Sequence, residues 1–137
     1  MNLNKEEILK QCNAISKNTL METLEIEFVD VTETSLTARM PVTPKVHQPD
    51  GVLHGGASVA LAESVGSACA FVFLDSKNVQ VRGIEISANH VKSIRDGFVY
   101  AVASIIHNGR TTQLWQIKIM NTENELISLV KLTTITI

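Results

Sequence analysis

The stretch 51–74, GVLHGGASVALAESVGSACAFVFL, limits what this chain can fold into more than any other part of it. It begins with a turn-like GVLH, reaches the pair Gly55-Gly56, and then runs through small and apolar residues without a proline. Glu63 is the only formally charged side chain between Asp50 and Asp75. Ala, Val, Leu and Ser dominate that run, so a helix of about 18 residues is predicted. Apolar positions lie nearly all round it, so the helix is expected to be buried. It is almost long enough to cross a bilayer, but Glu63, Ser64 and Ser67 and the lack of basic flanks argue against a membrane span. The rest of the chain must therefore supply its cover.

A carboxylate in the middle of a buried helix is costly, because desolvation disfavours the ionised form. One reading of Glu63 is structural, with the acid satisfied by neighbouring backbone or hydroxyls. Two neighbours favour a functional reading. Ser67 lies four residues on and shares the face of Glu63. The helix also opens on His54-Gly55-Gly56, where unpaired backbone N–H groups collect at the positive end of the dipole. A carboxylate combined with an anion-binding helix end suits acyl chemistry.

A chain of 137 residues reads as one domain, 1–137, large enough for a real core. The formal net charge of -2 argues against a broad nucleic-acid surface, so any anionic ligand needs a local cluster of donors. Cys12 and Cys69 are isolated and read as reduced thiols of a cytoplasmic protein. The N-terminus, MNLNKEEILK, is too charged for a signal peptide. His47, His54, His90 and His107 are scattered without metal-ligand spacing, so no metal is expected.

In chain order, Asn4-Lys5-Glu6-Glu7 reads as a capping box, with Asn4 as cap and Glu7 reaching back, and a short helix follows to about Ile15. The runs 24–31 and 35–41 form a predicted hairpin broken at Thr32-Glu33-Thr34. Residues 43–50 are a loop punctuated by Pro44 and Pro49 that carries His47 and Gln48 towards the long helix. After a turn at 75–78 come four β-type runs, 79–94, 98–107, 113–121 and 126–137. Asp96-Gly97, Asn108-Gly109 and Thr122-Glu123-Asn124 separate them, which predicts a four-strand antiparallel meander. Ile84, Ile86 and Ala88 alternate with polar residues, as do Trp115, Ile117 and Ile119. The economical architecture is α+β: a curved antiparallel sheet of about six strands wrapped around one long central helix, with a short N-terminal helix.

This order, with the segments HQPDGVLHGGASVALAES, GIEISANHVKSIRDG (83–97) and HNGRTTQLWQI (107–117), resembles the hotdog-fold acyl-CoA thioesterases. It is most similar to the small bacterial branch acting on aromatic acyl-CoA, including the 1,4-dihydroxy-2-naphthoyl-CoA thioesterases. The resemblance covers nearly the whole chain. It implies that Glu63 is the catalytic carboxylate, as nucleophile or general base, and that the Gly55 N–H polarises the thioester carbonyl. It further implies that Gln48 and His54 contact the thioester and that Ser67 helps to place water or the carboxylate. His90, Val91, Lys92 and Ser93, then His107, Asn108, Gly109, Arg110, Thr111 and Thr112, with Gly83, match positions lining the coenzyme A site. Coenzyme A is part of the substrate; no separate cofactor is implied. Asp50 departs from the pattern, standing where relatives are expected to be apolar. So does Lys92, standing where an Arg is common, which keeps the charge but loses bidentate phosphate contact.

The residues carry the same chemistry independently. Backbone N–H groups of Gly55 and Gly56 can stabilise a developing oxyanion, since glycine permits close approach. Glu63 can attack the thioester carbon or deprotonate a water held with Ser67. His54 can orient the carbonyl or simply cap the helix. Lys92, Arg95 and Arg110 are candidate phosphate cations, with Asn108 to Thr112 offering N–H and hydroxyl donors. Gly55 and Glu63 are eight residues apart, which is roughly 12 Å along a helix. One carbonyl cannot touch both, so a homodimer with shared sites is expected, and the resemblance adds a homotetramer. Two other functions compete: a hotdog enoyl-CoA hydratase or dehydratase using His54 with an acid, and a non-catalytic acyl-CoA-binding protein.

Overall fold

The computed structural model describes residues 4–74 and 80–137. Helix α1 (Lys5–Ile15) is followed by a short α2 (Leu20–Thr23), then strands β1 (Glu27–Val31) and β2 (Ser35–Pro41). A single 3-10 turn (Pro44–Val46) leads to the long helix α3 (Gly55–Phe73), after which come β3 (Val81–His90), β4 (Phe98–Asn108), β5 (Thr112–Met120) and β6 (Leu126–Thr136). The six strands form one antiparallel sheet in the order β1-β2-β4-β5-β6-β3. Helix α3 packs against β2, β3, β4, β5 and β6, which is the expected α+β hotdog architecture.

Alternation decides which strand faces meet α3. Trp115, Ile117 and Ile119 are fully buried, while Gln116 and Lys118 turn outward, so β5 presents one apolar face to the helix. Leu61, Ala62, Val65, Cys69 and Ala70 form the matching stripe on α3. Small residues let helix and sheet close up. A Cβ on Gly66 would lie 2.6 Å from Leu132 Cδ2. The buried Trp115 indole N–H donates to Thr134 Oγ1 at 2.9 Å, so no polar atom is stranded there.

Several expectations change. The four-strand meander is only three strands, β4-β5-β6. Strand β3 pairs with β6 at the edge of the sheet and does not pair with β4. Asp96-Gly97 is therefore not a hairpin turn. Residues 91–97 cross beneath the start of α3, held by Leu53 N–H to the Ile94 carbonyl and Val42 N–H to the Gly97 carbonyl, both 2.8 Å. The run 24–31 becomes a strand only from Glu27, because α2 precedes it and Glu25 takes a positive φ of 58°. Half of the capping box forms: Asn4 Oδ1 accepts from the Glu7 N–H at 3.0 Å, while the Glu7 carboxylate accepts from Gln11. The turn expected at 75–78, and Val79, lie outside the described residues.

Helix α3 is long and apolar enough to cross a membrane, yet it is the core helix of this sheet. It is not covered all round, contrary to expectation. Gly56, Glu63, Ser67 and Phe71 lie on a face exposed within the chain, at steps of seven, four and four residues. Glu63 is thus an exposed acid on a single chain rather than a buried one.

Candidate active site

The residues singled out in the sequence fall into three separate places on one chain. At the tip of α3, a cavity of about 280 Å³ is lined by Gln48, Gly55, Ser58, His90, Val91, Lys92, Ser93 and Ser128, among others. Halfway along the helix, Glu63 and Ser67 stand in a groove of about 460 Å³ whose other walls are mostly apolar, including Ile15, Leu20, Met21, Ala68 and Phe71. Near the far end of α3, Asn108, Gly109 and Arg110 line a cleft of about 320 Å³ with Leu74, Val81, Gln113 and Thr136. Helix α3 has 19 residues, or roughly 28 Å of length, so the first and third places sit at opposite ends of it.

The tip is built by capping. His54 is the N-cap residue, and its Nδ1 accepts from the Gly56 N–H at 2.8 Å. The Gly56 N–H is therefore committed within the helix, which corrects the expectation that both glycine amides face substrate. With Nδ1 accepting, a neutral His54 carries its proton on Nε2. The Gly55 N–H has no acceptor among the described residues, as the first turn of a helix requires. Gly55 thus remains the backbone donor at this end.

Gln48 is held on both sides. Its backbone N–H donates to the Val52 carbonyl at 2.8 Å, and its side-chain Nε2 donates to Asp50 Oδ1 at 3.0 Å. The acid at position 50 therefore orients the Gln48 amide. Arg95 is occupied as well, since its Nη1 donates to the Asp50 carbonyl at 3.3 Å. His47 Nε2 donates to the Arg95 carbonyl at 2.8 Å, tying the loop before α3 to the crossing 91–97.

Lys92 forms an ion pair with Glu125 at 3.3 Å. The Asn121 amide, then Lys92, hold the Glu125 carboxyl below the usual carboxylate range. Arg110 has no ion pair among the described residues. His107 packs by Gly109: a Cβ on Gly109 would lie 3.3 Å from His107 Nε2 and 2.8 Å from the Thr112 carbonyl. The Gly109 N–H donates to that same carbonyl at 2.8 Å, and the Thr111 carbonyl accepts from Thr136 N–H at 2.8 Å. Both bonds shape the β4–β5 turn.

Glu63 has an unexpected neighbour. A Cβ on Gly83 would lie 3.0 Å from Glu63 Oε2, so the carboxylate lies against the bare backbone of β3, beside a register shift between Gly83 and Glu85. On α3, Ala68 and Phe71 line the groove beside Glu63. Val65 is instead fully buried in the core and Phe73 packs against it. Burial pushes the Cys69 thiol up to about 12 and raises Cys12 as well, so both are protonated, inert thiols. No group of His, Cys, Asp and Glu suited to a metal occurs among the described residues.

Two residues at the tip escaped sequence reasoning. Ser128 is fully buried and its Oγ lies 2.7 Å from His90 Nδ1. Ser58 is 2% exposed and lines the same cavity. The available signal for Ser128 was a hydroxyl in the otherwise apolar run 126–130.

The thioesterase superfamily matches residues 50–128, which spans the tip, the carboxylate and the Arg110 turn. The chain is 40% identical over 126 residues to the 1,4-dihydroxy-2-naphthoyl-CoA hydrolase of Escherichia coli, covering 92% of each. A crystal structure of a mutant of thioesterase PA1618 from Pseudomonas aeruginosa superposes with a TM-score of 0.91 at 42% identity, covering 94% of this chain and 93% of that one. Thioesterase HI1161 from Haemophilus influenzae gives a TM-score of 0.91 at 41% identity, covering 94% and 90%. Fold and sequence together place the chain in the thioesterase superfamily, as a hotdog-fold acyl-CoA thioesterase.

Proposed function

We propose that the protein hydrolyses an aromatic acyl-CoA, with Glu63 of one subunit acting on a carbonyl held at the Gly55 N–H of its partner. The observation that carries this reading is the division of the site. Glu63 and Gly55 line different cavities of one chain, each incomplete for thioester chemistry. The open face of α3 and the outer edge of β3, where Ile84 is 56% exposed, offer a two-fold pairing surface. An antiparallel pair of helices brings each Glu63 towards the other chain's Gly55, so the enzyme is at least a homodimer. A homotetramer and a cytoplasmic location belong to the same reading.

The acyl group lies in the largely apolar groove beside Glu63, with Phe71 as an aromatic wall. The Escherichia coli relative supports a dihydroxynaphthoyl acid; a benzoyl type of acid and a place in menaquinone synthesis are further parts of the proposal. On the general-base route, a water held with Ser67 adds through oxygen to the thioester carbon and Glu63 takes its proton. On the nucleophilic route, a Glu63 oxygen attacks, the thiolate leaves, and water cleaves the resulting anhydride. In both, negative charge builds on the carbonyl oxygen against Gly55, and the C–S bond breaks with its electron pair going to sulfur. Gln48 and His54 orient the carbonyl. Arg110, which has no ion pair among the described residues, holds coenzyme A phosphate together with Lys92, Ser93 and the Asn108–Thr112 donors. Because the 90–93 and 107–112 segments lie at opposite ends of α3, coenzyme A also bridges two subunits.

Thiol release from benzoyl-CoA, aliphatic acyl-CoA and acyl-carrier-protein substrates tests this directly. Aryl-CoA is expected to be the best substrate, with Glu63→Ala losing on the order of 1,000-fold or more in kcat. Arg110→Ala is expected to raise KM far more than it lowers kcat. A fully active Glu63→Ala enzyme, or hydration of an enoyl-CoA without thiol release, would remove the proposal.

A further inference from the structure

Gly55 has no backbone reason to be glycine, because its φ is not among the positive values, which among described glycines belong to Gly51 and Gly97. Its reason is a neighbour. A Cβ there would lie 2.8 Å from His90 Nε2 and 3.0 Å from His90 Cδ2. The imidazole edge therefore sits directly on the helix tip, in the same cavity as Gln48 and the Gly55 N–H.

The other ring nitrogen is held from behind. His90 Nδ1 lies 2.7 Å from Ser128 Oγ, and His90 and Ser128 are register partners on β3 and β6. Ser128 is 0% exposed, and His90 is its only side-chain hydrogen-bond partner among the described residues. A buried hydroxyl must place its proton on an acceptor, so Ser128 donates to Nδ1. That leaves the imidazole proton on Nε2, the atom at the tip. His90 is thus an Nε2–H donor against the helix tip, in the cavity that Gly55 also lines.

The need for such a donor is specific. The Gly56 N–H is taken by His54, and the Gln48 amide that orients the carbonyl already gives one N–H to Asp50, so a further fixed donor at the tip strengthens the hold on a developing oxyanion. We propose that His90, fixed as its Nε2–H tautomer by Ser128, is a further donor to the thioester carbonyl oxygen beside the Gly55 N–H. His90 is then a catalytic residue and not a coenzyme A contact, and Ser128 is a positioning residue. The inference rests on the thioester reading above.

Steady-state thiol release from benzoyl-CoA, or from the best substrate of the panel, tests it. His90→Ala is expected to lose on the order of 100-fold in kcat with little change in KM. His90→Gln can place an amide N–H near the Nε2 position and should keep activity within about 10-fold of wild type. His90→Asn places its amide near Nδ1, keeps the Ser128 contact, and should be as slow as His90→Ala. A rise in KM and in the coenzyme A inhibition constant at constant kcat would make His90 a coenzyme A ligand and overturn the proposal, as would Asn outperforming Gln. Ring ¹⁵N shifts of His90 should report the Nε2–H tautomer in the wild type and its loss in Ser128→Ala. If Ser128→Ala does not fold, the wild-type spectrum alone decides, and an Nδ1–H signature sinks the idea. Glu63→Ala in the same assay separates the two readings. If it is inactive while His90→Ala is not, only the role of His90 fails.

Discussion

Gly83 and Glu63 are 20 positions apart in sequence and in contact in the structure. A methyl at Gly83 would come within 3.0 Å of Glu63 Oε2, while β3 is exposed on both faces around it. The cost of Gly83→Ala should therefore fall on the carboxylate and not on the fold. The carboxylate must give way by a few tenths of an ångström, and a full 1 Å at a reacting group costs about 100-fold, so kcat is expected to fall by roughly 10-fold at most with KM nearly unchanged. Steady-state kinetics beside a thermal melt check this. A rise in KM alone would return Gly83 to the coenzyme A site that the resemblance implies. The sequence singled out both residues, but not this contact. The alternation Ile84, Ile86, Ala88 locates the strand, whereas the closeness of Gly83 to Glu63 depends on how far the edge strand wraps round α3. His54 shows a similar division: capping and carbonyl contact were both open from HGG, and the 2.8 Å bond from Gly56 establishes the cap while leaving Nε2 free for substrate.

At the scale of elements, the connection 91–97 matters most, because it carries the chain beneath the tip of α3. Gly97 closes it with a φ of +83°, and a Cβ there would meet nothing within 4 Å. Gly97→Ala thus adds strain without a clash. A left-handed conformation costs an L-residue about 1–2 kcal/mol, so urea denaturation should show a loss of about that size while kcat stays at the wild-type value. A kcat that falls further than stability would show that the crossing also positions the His90 edge of the cavity. This connection is also where strand order was lost from sequence. Seven residues ending in Asp-Gly look like a hairpin loop, and local patterning cannot tell a return to the neighbouring strand from a crossing to the far edge. The β3–β6 pairing is set by wrapping the sheet round α3, a non-local requirement. The pairings β4–β5 and β5–β6 were readable because Asn108-Gly109 and Thr122–Asn124 do make local turns, the second organised by Asn121 Oδ1 accepting from the Glu123 and Glu125 N–H groups.

For the whole molecule, the open face of α3 is the central fact. Composition described a helix apolar enough to be buried, but it could not say whether its own sheet or a second copy does the burying. Within one chain, Phe71 is 54% exposed and Glu63 lies on the same open face. If two chains share each site, two different inactive variants should repair one another. Glu63→Ala retains the tip, and Gly55→Val retains the carboxylate while its side chain collides with His90. In a mixed dimer one site receives both intact groups and the other receives neither. Random pairing of equal amounts makes half the dimers mixed, each with one working site of two, so co-refolding should restore about a quarter of wild-type activity. Each variant refolded alone should stay near background, with circular dichroism confirming that both fold. Mixed dimers that form and remain inactive would place the carboxylate and the helix-end amide on the same chain's substrate, which the roughly 12 Å between them along α3 makes physically difficult.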